Sequence, residues 1–513
     1  MAFRSRILKM AIFATGLSGI VAEYILSTLA TYFLGNSVLQ WTLIVSIMMF
    51  SMGVGSRISK FFQSNLLQTF IFLEFGLSLL VAFSSMVAYT ASAYTIYTGA
   101  IIYSMSIIIG LFIGMEIPLV IRLNNSFEIL RVNISSVMEQ DYYGSLAGGL
   151  FFAFVGLPFL GITYTPFVLG MVNFVVAFSL FLMLRSEIKV RIRNLIQVAS
   201  VFVAAIIISG FFVSEKIILF GEQKRYKDKI IFESQSRYQK IVMTQWKEHY
   251  WLFIDGNQQL SSLDEVLYHE PLVHPAMQMA KYPQQVLIMG GGDGCAAREV
   301  LKYKQTEKIT VVDLDPEMTE LGKTHPILVE MNQGAMNNSR VNIINADAYK
   351  YLSETNQFWD VIIIDLPDPK TIELGRLYSK EFYALCRRHL RPGGTLVTQA
   401  GSPYFAPKAF ECIDKTMQAA GFTTVPLHNQ IITLGEWGWI LGLREGDHEE
   451  SKAQLRKLDF KDVETQWLNN EAMWMITSFG KDFYSKGNVE IKENKIHDPV
   501  LYKYYLEGNW DVY

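Results

Sequence analysis

Four aspartates each follow a short run of branched apolar residues: Asp293 after QQVLIMGGG, Asp313 after KITVV, Asp347 after VNIINA and Asp365 after WDVIII. Continuous Val/Ile/Leu runs of this length indicate strands of a parallel sheet covered on both faces, and such a sheet binds its ligand beyond the carboxyl ends of the strands. The four carboxylates are therefore expected to line one crevice. Gly290, Gly291, Gly292 and Gly294 surround Asp293, a run that turns sharply and lets a ligand approach the backbone. Asp313 stands twenty residues after Asp293, where an acid can accept hydrogen bonds from both ribose hydroxyls. The combination suits a nucleoside. A dinucleotide fits less well, because Cys295 occupies the third glycine position and an acid inside the loop would repel a pyrophosphate. Asp293 instead suits a cationic ligand, such as a sulfonium nucleoside carrying an ammonium group. A tight strand-to-helix turn would account for the glycines alone, but not for four strand-end acids in register.

The segment DLPDP carries Asp365 and Asp368 out of the last of these strands, with Pro367 and Pro369 enforcing an extended exit. A solvated turn would use the same residues, but these acids follow a buried apolar strand into the ligand crevice. A carboxylate within hydrogen-bonding distance of an attacking amine can steer its ammonium form and accept its proton, which makes Asp365 the candidate base. A sulfonium is already a good leaving group, so the protein mainly has to align nucleophile, carbon and sulfur in a dry pocket. No metal ion is expected. Cys295, Cys386 and Cys412 form no CxxC pair and read as buried thiols.

These elements occupy only part of a chain of 513 residues that is 50% hydrophobic and 18% charged. That composition excludes a disordered chain, and the formal charge of −3 offers no bulk attraction for nucleic acid. Residues 1–214 hold 11 of the 45 basic and 7 of the 48 acidic residues. Seven apolar stretches of spanning length or near it lie there, over residues 10–34, 38–54, 67–89, 97–121, 143–160, 164–184 and 195–213. The expected fold is thus a multi-pass α-helical membrane domain over 1–214, then a small antiparallel β-sheet over 215–280. An α/β domain over 281–449 and a C-terminal docking segment over 450–513 complete it. Basic residues before the first stretch (Arg4, Arg6, Lys9) and in alternate connections place the amino terminus in the cytoplasm. Seven crossings would put the α/β domain outside, yet Lys216, Lys224, Arg225, Lys227 and Lys229 are also basic. Either one stretch fails to cross or the topology is unusual. Glu23, Glu74 and Glu116 lie inside apolar stretches, where a carboxylate is either functional or packed as a hydrogen-bonded acid.

From about Glu233 to Gly442 the chain resembles the polyamine aminopropyltransferases, the spermidine synthase family. The blocks ESQSRYQKI, FIDGNQQ, LDEVLYHE, VLIMGGGDG, VVDLDP, NADAY, DVIIIDLPDP, LYSKEFY and LRPGGTLVTQ occur in the family's order. The amino-terminal region, with GEWGW and DPVLYKYY, resembles its membrane-integrated bacterial branch. The resemblance implies a Rossmann-like domain of the class I SAM-dependent transferase type. It also implies transfer of the aminopropyl group of decarboxylated S-adenosylmethionine to an amine such as putrescine, with release of methylthioadenosine and no further cofactor. It assigns Asp313 to the ribose, Asp347 to the adenine and Asp293 to the aminopropyl ammonium, with Gly290 and Gly292 in the loop. Gln239, Gln259 and His269 would close the nucleoside side, Tyr268 and Asp365 would meet the attacking amine, and Asp368 and Gln399 would face the acceptor's far end. In the family the small β-sheet caps the site and can join a homodimer. The catalytic domain is expected in the cytoplasm, where the family's donor is made.

The acceptor region departs from the pattern. Lys370 and TIELG replace the usual GPA run, and Ile432 stands where the soluble enzymes carry a tyrosine; His428, Glu436 or Trp437 could supply contacts, although Trp437 and Trp439 fit an apolar core equally. Two other functions share these residues: a methyltransferase using intact S-adenosylmethionine, and a non-enzymatic polyamine sensor or transporter.

Overall fold

Branched apolar runs separated by glycine, proline and aspartate dictate alternating strands and helices in the second half of the chain, and unbroken apolar runs dictate helices in the first. A computed structural model describes residues 2–35, 37–125, 129–481, 483 and 490–510, with side chains from Ser5 onward. It divides into two units, Met1–Lys229 and Ile230–Tyr513.

The first unit is helical: α1 (Ala2–Leu34), α2 (Ser37–Ile58), α3 (Leu66–Ala82), α4 (Ser84–Tyr94), α5 (Thr98–Asn124), α6 (Leu130–Phe151), α7 (Gly161–Leu184) and α8 (Val190–Arg225). Among the described residues, five helices are long and apolar enough to cross a membrane, or up to six if the bent pair α3 and α4 is one span. The count differs from seven for two reasons. The stretch at 67–89 is broken by a bend of 49°, and those at 143–160 and 164–184 belong to one helical run, Leu130–Glu187, through a π-helical turn at Phe152–Leu160. The boundary expected at 214 falls inside α8, which continues to Arg225 because SEKIILFGEQKR sustains the helical pattern. Glu23, Glu74 and Glu116 are all buried, and Glu74 accepts a hydrogen bond from Thr15 Oγ1 at 2.8 Å.

The second unit opens with an antiparallel sheet of four strands in sequential order: β1 (Lys229–Gln235), β2 (Lys240–Trp246), β3 (His249–Ile254) and β4 (Asn257–Ser261). Its inward face, with Ile241, Met243, Leu252 and Leu260, packs on Met318, Leu321 and Leu328 of the α/β part. After α9 (Val266–Met279) comes a seven-stranded sheet in the order β10-β11-β9-β8-β5-β6-β7. Its strands are β5 (Gln285–Gly290), β6 (Lys308–Asp313), β7 (Val341–Asn345), β8 (Trp359–Asp365), β9 (Leu390–Gly401), β10 (Thr423–Ile431) and β11 (Gly435–Leu443). β9, β8, β5, β6 and β7 are parallel, and β10 and β11 add an antiparallel hairpin. Hydrophobic side chains cover both faces, which is why the central strands carry no alternation.

The docking segment expected over 450–513 includes residues 482, 484–489 and 511–513, which lie outside the described residues; the rest packs on the α/β part. Glu270 of α9 is fully buried and accepts the backbone N–H groups of Gln466, Trp467 and Leu468 at 2.6, 3.0 and 2.7 Å. A carboxylate satisfied by three N–H donors is a strong local anchor, and removing it takes the acceptor from the buried Leu468 N–H, at about 1–3 kcal/mol, and from the less buried N–H groups of Gln466 and Trp467. Glu270→Ala should raise amide hydrogen exchange at Gln466, Trp467 and Leu468 by at least about tenfold, the equivalent of about 1.4 kcal/mol. Unchanged exchange there would remove Glu270 from the anchoring of this segment.

Candidate active site

Parallel strands in the order β8-β5-β6-β7 deliver their carboxyl ends side by side, with Gly290 in register with Asp365 and Asp313 with Asn345. Asp365 ends β8, Asp293 follows β5, Asp313 ends β6, and Asp347 caps the helix after β7 by accepting the Lys350 N–H at 2.9 Å. One sheet edge thus gathers all four acids. The glycine turn between β5 and α10 (Cys295–Leu301) is built against them. Gly290 has φ +81° and no room for a Cβ, which would overlap the Asp365 carbonyl oxygen. The Gly292 N–H donates to Asp313 Oδ2 at 3.1 Å, while the Asp315 N–H holds Oδ1 at 2.9 Å.

At the centre, Asp293, Asp365 and His269 each offer an atom within 4.8 Å of the others. Tyr268 Oη donates to Asp365 Oδ1 at 2.8 Å, and His269 Nε2 lies 4.0 Å from Asp365 Oδ2. Burial raises the Asp365 carboxyl, and the Asp293 charge adds to this against the pull of His269 and Tyr268; the group is pushed up to about 6. Burial likewise pushes Asp313 to about 6, against the Asp315 and Gly292 N–H groups. His269 behaves oppositely. Burial would lower its pKa, but the hydrogen bond from Nδ1 to Glu265 Oε2 at 2.8 Å, with the charges of Glu265, Asp293 and Asp365, holds it up at about 9. As an imidazolium, His269 donates through both ring nitrogens.

Sequence reasoning passed over the support for that imidazolium. Arg298 of α10 forks onto Glu265, with Nη1 2.7 Å from Oε1 and Nη2 2.9 Å from Oε2, and its Nε donates to Glu299 at 2.7 Å. Glu299 continues to His274 at 2.8 Å and Lys302 at 2.7 Å. Glu265 and His269 sit four apart in LDEVLYHE, the spacing of facing residues on a helix, and that was the available signal. Nothing local marks Arg298.

On the outer side, Asp368 Oδ1 lies 3.4 Å from Gln399 Nε2, and Gln399 also donates to the Leu366 carbonyl at 2.9 Å and to Tyr378 Oη at 2.6 Å. Gln239 lies in the turn before β2, its N–H on Ser236 Oγ at 3.0 Å, and Ser236 in turn donates to Asp315 at 2.6 Å, beside the Asp313 loop. Gln259 on β4 donates to the Asn257 carbonyl at 3.2 Å rather than to any of the four strand-end acids. Asp347 also pairs with Arg376. His428 and Glu436 pair with each other, and His428 Nε2 with the Ser478 carbonyl at 2.8 Å. Trp437 and Trp439 are buried in the sheet's core, and Ile432 is exposed.

Fold and site together define a nucleoside-dependent transferase of the Rossmann-like class I type, with an acidic subsite beside the nucleoside. Residues 265–454 match the spermine/spermidine synthase domain. The chain is 38% identical to a polyamine aminopropyltransferase of Oceanobacillus iheyensis, across 99% of this chain and 98% of that protein. It is 40% identical to polyamine aminopropyltransferase 2 of Aquifex aeolicus, across 98% and 99%. A solved structure of spermidine synthase with the transition-state analogue AdoDATO covers 50% of this chain and 87% of its own, at 26% identity and a TM-score of 0.46. The chain belongs to the polyamine aminopropyltransferase family and is an enzyme of that type.

The close fit at Gly292 is testable. A Cβ there would lie 2.7 Å from Asp313 Oδ2 and force that carboxylate aside. Gly292→Ala should weaken methylthioadenosine binding by about tenfold or more, about 1.4 kcal/mol, in isothermal titration calorimetry. Unchanged affinity would dissociate Asp313 from the nucleoside.

Proposed function

We propose that this enzyme transfers the aminopropyl group of decarboxylated S-adenosylmethionine to putrescine, giving spermidine and methylthioadenosine. The observation that carries this reading is the gathering of Asp293, Asp365 and His269 within 4.8 Å beside the Gly292–Asp313 cradle. Asp313 holds the ribose, and Asp347 faces the adenine. Gln239, Gln259 and His269 close that side. Asp293 receives the aminopropyl ammonium, whereas the carboxylate of intact S-adenosylmethionine would meet two acids and be disfavoured. The acceptor lies with one nitrogen at Asp365 and Tyr268 and the other toward Asp368 and Gln399.

The neutral amine's lone pair attacks the methylene carbon beside sulfur. As the new C–N bond forms, the C–S bond breaks and its electron pair returns to sulfur as the neutral thioether. Asp365 accepts the amine's proton. Tyr268 Oη fixes the orientation of that carboxylate through the bond to Oδ1.

The helical unit, in the same proposal, spans the cell membrane in several passes, supported by its long apolar helices and buried acids. The catalytic unit then lies in the cytoplasm, where its donor is made, and homodimers join through the β1–β4 sheet, as the resemblance implies. A carboxyl-terminal reporter fusion active only outside the cytoplasm would overturn the orientation.

Purified full-length protein should form methylthioadenosine from decarboxylated S-adenosylmethionine and putrescine, read by mass spectrometry. Asp365→Asn should lower kcat by about 10²–10⁴, the usual worth of a positioned general base. Asp365 works as the anion, so kcat should fall as pH drops through about 6, and this limb should vanish in Asp365→Asn. An intact acidic limb in that variant would assign the base elsewhere.

A further inference from the structure

Ile432, which the resemblance sets against a tyrosine of the soluble enzymes, is 70% exposed. A tyrosine from a distant part of the chain reaches Asp368. The short helix Leu501–Leu506 places Tyr505, 3% exposed, so that its Oη donates to Asp368 Oδ2 at 2.6 Å. Gln399 occupies the other oxygen, so the Asp368 carboxylate is held from both sides. The Tyr505 ring stacks on Trp510 with centroids 4.6 Å apart, and Trp510 Nε1 donates to the Tyr505 carbonyl at 2.8 Å. The surrounding turn is tied to the segment after β9 by the Asn509 N–H on the Phe405 carbonyl at 2.7 Å and by Lys408 on Glu507 at 2.7 Å. The ring is therefore a fixed wall.

A cation already samples this position. Lys370 Nζ lies 3.8 Å from Asp368 Oδ2 and 5.8 Å from the centre of the Tyr505 ring, and it donates to Asn257 Oδ1 at 2.6 Å. A carboxylate and an aromatic face together make a good seat for an ammonium group. Lys370 shows that an ammonium reaches it.

We propose that Tyr505, contributed by the carboxyl-terminal segment, is the specificity-determining residue at the far end of the acceptor subsite and sets the length of amine the enzyme accepts. The inference rests on the reading of Asp368 as the seat of the acceptor's distal ammonium. The hydroxyl fixes where that carboxylate stands, and the ring closes the space beyond it. On this proposal a diamine too long for the interval between Asp365 and Tyr505 is disfavoured. One methylene too many or too few in such a slot changes kcat/KM by about 10–200-fold.

The test is steady-state kinetics of the full chain with decarboxylated S-adenosylmethionine and diamines of three, four and five carbons. Tyr505→Phe keeps the ring and its stacking while removing the hydroxyl. It should raise the acceptor KM by about tenfold and leave the donor KM within about twofold. Tyr505→Ala should raise the kcat/KM ratio of the five-carbon over the four-carbon diamine by about tenfold or more. Variants that raise donor and acceptor KM together, or leave the length ratio unmoved while the wild type turns over, overturn this inference alone. A wild type that releases no methylthioadenosine overturns the underlying reading and this one with it.

Discussion

Burying carboxylates close together is unfavourable unless something pairs with them, and that constraint organises the catalytic unit. Asp293 and Asp365 come together in one place, and the chain sets a cation, His269, within 4.8 Å of both. His269 is kept as an imidazolium by Glu265, Glu265 is kept in place by the Arg298 fork, and Arg298 is backed by Glu299. The result is a partial neutralisation that leaves Asp365 near 6 rather than far above it. Such a group is anionic at neutral pH yet basic enough to take a proton. In the proposed function an incoming ammonium completes the pairing.

The sheet exists, in functional terms, to make that crowding possible. Parallel neighbours β8, β5 and β6 end side by side, so that Asp365 and Asp313 close β8 and β6 while Asp293 lies in the turn just beyond β5. The glycine turn then brings the Gly292 N–H against Asp313 without a side chain intervening. A side chain at Gly290 would displace the β8 end and with it Asp365.

Much of this was legible in the sequence because it is local. Strand runs ending in aspartate, glycines at fixed offsets and the paired prolines after Asp365 each state their conformation within a few residues, and the parallel order does the rest. What could not be read depends on side chains meeting across long separations. Arg298 meets Glu265 and Tyr505 meets Asp368 only because two elements pack together, and neither sequence stretch carries a mark of its partner. The small sheet expected over 215–280 forms as four strands over 229–261, and its last strand depends on the tight turn at Asp255 and Gly256 that lets NQQLS return alongside β3. In the helical unit, apolar length is legible but breaks within it are not. The bend between α3 and α4 carries no proline, so hydropathy alone merged the pair.

In the proposed function the acids beside the nucleoside select a positive arm and reject a zwitterionic one. Calorimetric titration of the full-length protein with decarboxylated and with intact S-adenosylmethionine, at neutral pH and equal salt, addresses this selection directly. The decarboxylated compound should bind at least about tenfold more tightly, a difference that shrinks in Asp293→Asn. Equal affinities for the two nucleosides would contradict it.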